Sequence, residues 1–118
     1  MTNSDVVRAC LESYSAQDRD TADRLLAEDF VFTSPQDDHI DKAAFFERCF
    51  PTADRFKTHE VLEVVPTEGD DVFVLYEYEL QTGQSYRNVE LTTVRDGRIT
   101  ETQVFFGGQV PRSGNARG

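Results

Sequence analysis

Val7, Cys10, Leu11 and Tyr14 recur at the spacing of one helical face near the start of the chain. Thr2 and Asp5 can form a capping box ahead of that run, so a first helix is expected to about Gln17. The polar triplet Asp18-Arg19-Asp20 interrupts it. Asp20 is expected to cap a short second helix that turns Ala22, Leu25 and Leu26 inward, with Asp23 near its positive end. Phe30-Val31-Phe32-Thr33 reads as a short strand ended by Ser34-Pro35, and the polar stretch Gln36-Asp37-Asp38-His39 reads as a loop. Asp41 is then expected to cap a third helix whose apolar side holds Phe45, Phe46, Cys49 and Phe50, before Pro51 ends it.

Beyond Pro51 the period changes from helical to alternating. Residues 57–66, 72–81, 86–95 and 98–106 are rich in Val, Phe, Tyr, Thr and Ile, with turn signals at 68–71, 82–83 and Asp96-Gly97 between them. Connections this short make neighbours antiparallel, and Asp96-Gly97 between Val94 and Ile99 is the strongest hairpin signal in the chain. Helices first and a meander second predict an α+β fold, with three N-terminal helices on one face of a curved antiparallel sheet. Alternation places Val74, Tyr76, Tyr78 and Leu80 on one face of their strand and Phe73, Leu75, Glu77 and Glu79 on the other. On the next strand Asn88, Glu90, Thr92 and Val94 oppose Val89, Leu91 and Thr93. Both faces of the last two strands are partly apolar, as a sheet packed on one side and paired with a second copy on the other requires. A single domain over residues 1–107 is expected, with 108–118, glycine-rich and without acid, as a tail.

Composition narrows the function classes. The chain has 118 residues, 38% hydrophobic and 29% charged, as one soluble globular domain does. Its 22 acidic and 12 basic side chains give a net charge of −10, spread over both halves. Such a surface repels phosphate backbones and anionic membrane leaflets, so neither nucleic acid nor membrane is an expected partner. No basic-then-apolar leader opens the sequence and no run of 18 apolar residues occurs, from which a cytoplasmic location is expected. Cys10 and Cys49 are too few for a disulfide scaffold and are expected as buried free thiols. His39 and His59 stand far apart without CxxC or HExxH, so no metal site is expected.

The order of elements, the segment Leu25-Leu26-Ala27-Glu28-Asp29-Phe30-Val31, and Asp96-Gly97-Arg98-Ile99 before the final strand together resemble the nuclear transport factor 2-like superfamily, in its SnoaL-like and ketosteroid isomerase-like branch. The likeness covers about residues 4–107. It implies a cone in which the sheet wraps the helices around a largely apolar pocket, often in a homodimer. In ketosteroid isomerase-like relatives the base stands immediately before the loop proline, which here matches Ser34. Their tyrosine donor from the first helix matches Cys10, and their protonated acid on the strand before the last hairpin matches Glu90. The aspartate of the epoxide hydrolase-like branch falls near Val104.

Glu90 is therefore the first candidate for acid–base chemistry. Facing a pocket, its carboxyl would have a raised pKa, because burial disfavours the charged form. The alternative places it toward solvent or in a pair with Arg87 or Arg95. Tyr76 and Tyr78, pointing inward, can orient a carbonyl ligand or serve as core aromatics. Asp38 and His39 form a second candidate, an imidazole oriented by a carboxylate, and an ordinary solvated segment before a helix is the other reading. Tyr14 and His59 can reach the same pocket, and Asn88 shares the face of Glu90. Two functions follow: a cofactor-independent isomerase, cyclase or hydrolase acting on a small apolar carbonyl metabolite, or a binding and dimerisation module of the same fold.

Overall fold

The computed structural model describes residues 1–111. Helix α1 (Asn3–Ala16) opens with the expected capping box complete: the Asp5 N–H donates to the Thr2 hydroxyl at 3.1 Å and the Thr2 N–H to the Asp5 carboxylate at 3.0 Å. It ends at Gln17 in the left-handed conformation, φ 56°. Helix α2 (Arg19–Leu25) is capped by Asp18 and not by Asp20: the Asp18 carboxylate accepts from the Thr21 N–H at 3.2 Å and from its hydroxyl at 2.7 Å. The helix starts earlier than its apolar positions suggested, which leaves Asp20 inside the first turn, where its charge still meets the positive end of the helix. Helix α3 (Lys42–Arg48) has the expected Asp41 cap, accepting from the Ala44 N–H at 2.9 Å. Lys42 then fastens α3 to the end of α2. Its ammonium, on a side chain only 12% exposed, donates to the Asp23 and Leu26 carbonyls at 3.1 Å and pairs with the Asp23 carboxylate at 3.0 Å. Pro51 ends α3 but does not stop helical winding; Phe50–Arg55 continues as a 3₁₀ segment.

The sheet has six strands. They are β1 (Leu26–Ser34), β2 (Asp37–Asp41), β3 (Phe56–Pro66), β4 (Asp71–Leu80), β5 (Ser85–Arg95) and β6 (Arg98–Val110), in the order β2-β1-β6-β5-β4-β3. The meander β3–β6 is antiparallel as expected, whereas β1 joins β6 in parallel, so the sheet is mixed. The stretch expected as a loop is the short edge strand β2, which folds back on β1 with Phe32 opposite Ile40. Its charged side chains hid it, since an edge strand is held by backbone hydrogen bonds and tolerates charge facing water. The last strand runs to Val110, opposite Ser85, past the boundary expected at 107; residues 112–118 of the expected tail lie outside the described residues. No helix among the described residues is long and apolar enough to cross a membrane.

The helices cover one face of the curved, unclosed sheet. Val6 and Val7 of α1, Ala22 of α2 and Phe46 of α3 pack with Leu26, Phe30, Val72, Val74, Val94 and Ile99 as the core. At its far end the β5–β6 ladder is broken by a bulge between Tyr86 and Asn88, where the two backbones approach closely. A Cβ at Gly107 would stand 2.0 Å from the Arg87 carbonyl oxygen, whereas one at Gly108 would meet nothing within 4 Å. The Gly107 N–H donates to the Asn88 side-chain oxygen at 3.2 Å, so the bulge also fixes that amide. Gly107→Ala is expected to cost about 2 kcal/mol or more in urea unfolding, because backbone must move, while Gly108→Ala stays within about 0.5 kcal/mol. Equal midpoints for the two variants would contradict this account of the bulge.

Candidate active site

Between the helices and the concave face lies a cavity of about 560 Å³, in the size range of small-molecule sites. The alternation of β4, β5 and β6 supplies one wall: Tyr76 and Tyr78, then Tyr86, Asn88 and Glu90, then Thr102, Val104 and Phe106. In register, Tyr76 lies opposite Asn88 and Asn88 opposite Phe106, while Glu90 lies between Val74 and Val104. Cys10, Leu11 and Tyr14 of α1 face this wall, and Phe30, Phe32 and Phe45 close the side toward β1 and α3. Phe45 touches the Phe32 ring at 5.1 Å and the Phe30 ring at 5.3 Å between centroids.

One directed chain of polar groups crosses the cavity wall. The Gly107 N–H holds the Asn88 oxygen, which turns the Asn88 amide nitrogen toward the hydroxyls of Tyr76, at 3.2 Å, and Tyr78, at 3.5 Å. The Asn88 nitrogen thus engages the Tyr76 oxygen, which leaves the Tyr76 proton available to the Glu90 carboxyl, whose charged form it favours. Tyr78 accepts from Asn88, and its own proton has no acceptor among the described residues. Across the cavity the Thr52 hydroxyl donates to the Cys49 carbonyl at 2.7 Å, so Tyr14 is the donor in its 2.7 Å contact with Thr52. His59 stacks on Tyr76 with ring centroids 4.8 Å apart.

The electrostatics follow from burial. Glu90 is half-buried, borders the cavity, and forms no ion pair among the described residues; Arg87 is taken by Glu77 at 2.7 Å and Arg95 by Asp70 at 3.1 Å. Desolvation raises its pKa to about 7, against the opposing pull of the Tyr76 hydrogen bond. Burial also raises Tyr14 to about 12, Cys10 to about 12, with the Glu90 charge adding to the latter, and Cys49 to about 11. Tyr76 and Tyr78 are raised as well, and His59 is lowered, all by desolvation first. Near neutrality Glu90 is therefore the cavity group poised to exchange a proton, among neutral thiols, phenols and an imidazole held toward its neutral form. Among the described residues no three His, Cys, Asp or Glu side chains converge as a metal cage requires.

The model of the SnoaL-like domain family matches residues 7–102. The chain belongs to the SnoaL-like family. Its fold is shared by a solved structure from Kribbella flavida DSM 17836, 27% identical over 96% of this chain and 91% of that one, with a TM-score of 0.75. A nuclear transport factor 2-like protein of unknown function from Cytophaga hutchinsonii is 24% identical over 90% of each chain, with a TM-score of 0.71. A putative polyketide cyclase from Sinorhizobium meliloti is 22% identical over 85% of this chain and 93% of that one, with a TM-score of 0.73. No curated protein matches the sequence.

Within this SnoaL-like fold, Glu90, Tyr14, Tyr76, Tyr78 and Asn88 come together around one cavity, and His59 joins them. Asp38 and His39 do not. They pair with each other at 2.5 Å on β2, with side chains 89% and 67% exposed, and His39 lines a shallow depression with Asp70, Asp71 and Glu101 instead of the cavity. The strand that replaced the expected loop turns them away. Ser34, Cys10 and Val104, the positions matched to the base and donors of other branches, do line the cavity, but as hydroxyl, neutral thiol and alkyl group. Cys10 and Cys49 are free, half-buried at the cavity wall and not sealed in the core. Thr52, Arg48 and Arg55 are lining residues that nothing in the sequence pattern singled out, because the turn carrying Thr52 and Arg55 has no periodic signal.

A raised carboxyl makes a signed prediction. The folded protein binds the Glu90 proton more tightly than the unfolded chain, so Glu90 costs nothing below the unfolded carboxyl pKa, and stability falls as pH rises from about 4.5 through about 7. Glu90→Gln should abolish that fall, giving a variant about 2 kcal/mol more stable relative to wild type at pH 8 than at pH 4, a figure reduced because the carboxyl borders the cavity. Parallel stability curves for the two proteins across that window would refute it.

Proposed function

We propose that this protein is a cofactor-independent acid–base enzyme of the isomerase or cyclase type, acting on a small apolar carbonyl compound. The observation that carries the reading is Glu90, a carboxyl raised to about 7 on the wall of a mostly apolar cavity. As carboxylate it takes a proton from carbon; as carboxylic acid it returns one. The uncommitted Tyr78 hydroxyl donates to the carbonyl oxygen of the ligand. Polyketide cyclisation, the activity in the description of the Sinorhizobium meliloti structure, is chemistry of this kind.

Hydrogen–deuterium exchange into apolar cyclic ketones and β-diketones, followed by mass spectrometry in deuterated buffer, tests the reading. Wild type should exchange the carbon-bound hydrogen at least 100-fold faster than Glu90→Gln. No exchange above buffer, with the ketone nevertheless bound, favours the second reading: a binding module. That alternative is supported by the serine, cysteine and valine at positions 34, 10 and 104.

The same reading includes a homodimer. On the convex face Phe73 lies opposite Leu91, and Leu75, Val89 and Phe105 share one row; Phe73 and Phe105 are 41% and 52% exposed. Such a patch favours cover by a second copy. Sedimentation at micromolar concentration should give twice the 13.4 kDa chain mass, and Phe105→Glu should give the monomer. A monomeric wild type would rule the dimer out.

A further inference from the structure

The lining residues that are exposed to solvent mark the opening of the cavity: Gln36, Arg48, Arg55, Phe106 and Gly107. Two of them are cations, in a chain with only 12 basic residues and a net charge of −10. They differ in what they face. The Arg48 guanidinium lies 3.7 Å from the Asp37 carboxylate, which also lines the cavity, so its charge is answered within the rim. Arg55 has no ion pair among the described residues. Its backbone is nonetheless fixed, since its carbonyl accepts from the Gln81 N–H at 3.0 Å and the Gln81 side chain holds the adjacent Phe56 carbonyl at 3.1 Å. Its charge is felt inside the cavity, where it favours the ionised form of Tyr14.

A guanidinium set on a fixed backbone at the lip of an apolar cavity offers a planar fork of donors to an anion. We propose that the cavity takes an apolar molecule bearing one anionic group, its apolar body against Phe32, Phe45 and Phe56 and its anion at Arg55. The proposal rests on the reading of the cavity as a small-ligand site and adds the charge of the ligand. Glu90 sits on the inner wall, so an anion is expected at the opening and not at the acid–base group.

Two fluorescent dyes with one aromatic frame separate the charge from the frame: 1-anilinonaphthalene-8-sulfonate and the neutral N-phenyl-1-naphthylamine. The sulfonate should bind about tenfold more tightly at low salt, and the preference should shrink in 1 M NaCl as the ion pair is screened. Arg55→Gln should remove the preference while leaving the affinity for the neutral dye unchanged. Arg95→Gln, on the convex face, should alter neither. Equal affinity of wild type for both dyes, or a preference that survives Arg55→Gln, overturns the anion assignment while leaving the apolar site intact. Binding of neither dye overturns the small-ligand reading and this inference together.

Discussion

The register of β5 between β4 and β6 determines what the cavity contains. Side chains alternate along a strand, so a slip of one residue would send Asn88 and Glu90 to the convex face and bring Val89 and Leu91 inward. Both ends of the pairing resist that slip. At one end Asp96 and Gly97 make the β5–β6 turn with φ of 52° and 76°, the doubly left-handed geometry that a tight hairpin requires and that Asp-Gly adopts at low cost. At the other end the bulge brings Gly107 against the Arg87 backbone so closely that no side chain fits. The Asn88 side chain then takes the Gly107 N–H that the broken ladder releases.

The same contact gives the polar wall its direction. With the Asn88 oxygen engaged, its nitrogen must point to the tyrosines, and the tyrosine next to Glu90 must donate to it. No buried side-chain nitrogen or oxygen among the described residues lacks a partner, and the one proton of the network left over is that of the half-buried Tyr78 hydroxyl. A buried polar network of this kind is stable only when complete, and specifies one arrangement when it is. The carboxyl at its end is the one member whose cost depends on pH, because as an acid it suits the apolar surroundings and as a carboxylate it leans on a single phenol. An apolar side chain at position 90 would suit the surrounding core better than a carboxyl does, and this cost is what the proposed proton chemistry accounts for.

How much of this the sequence disclosed follows from the range of each interaction. Caps at Thr2 and Asp41, the Asp96-Gly97 turn and the faces of β4 and β5 depend on neighbours a few residues apart, and the pattern of residues revealed them. The Asp18 cap lay two residues from the expected one because the apolar face of α2 is too short to mark its start. Strand β2 was hidden because its pairing with β1 is backbone to backbone, and with it was lost the direction in which Asp38 and His39 point. The cavity positions of Ser34, Cys10 and Val104 were reachable through the family resemblance. The 3₁₀ segment brings Thr52 to the cavity wall and Arg55 to its rim by tertiary packing alone, which leaves no periodic trace.

A net charge of −10 stands against an anionic ligand. Electrostatic range resolves the conflict. At physiological ionic strength charges farther than about 8 Å are largely screened, so a ligand at the opening responds to the few groups around it and not to the sum over the chain. Several of the acids are committed elsewhere: Asp5, Asp18 and Asp41 cap helices, and Asp70 and Glu77 hold Arg95 and Arg87 on strands. Around the cavity the tally is different, with two carboxyls and two guanidinium groups. Asp37 and Arg48 compensate each other, and Glu90 near neutrality is divided between its charged and neutral forms. What remains at the lip is the charge of Arg55. On the proposed reading the acid surplus bears on solubility and, at low ionic strength, on the rate at which an anion meets the protein, while the preference of the cavity is set by its own lining.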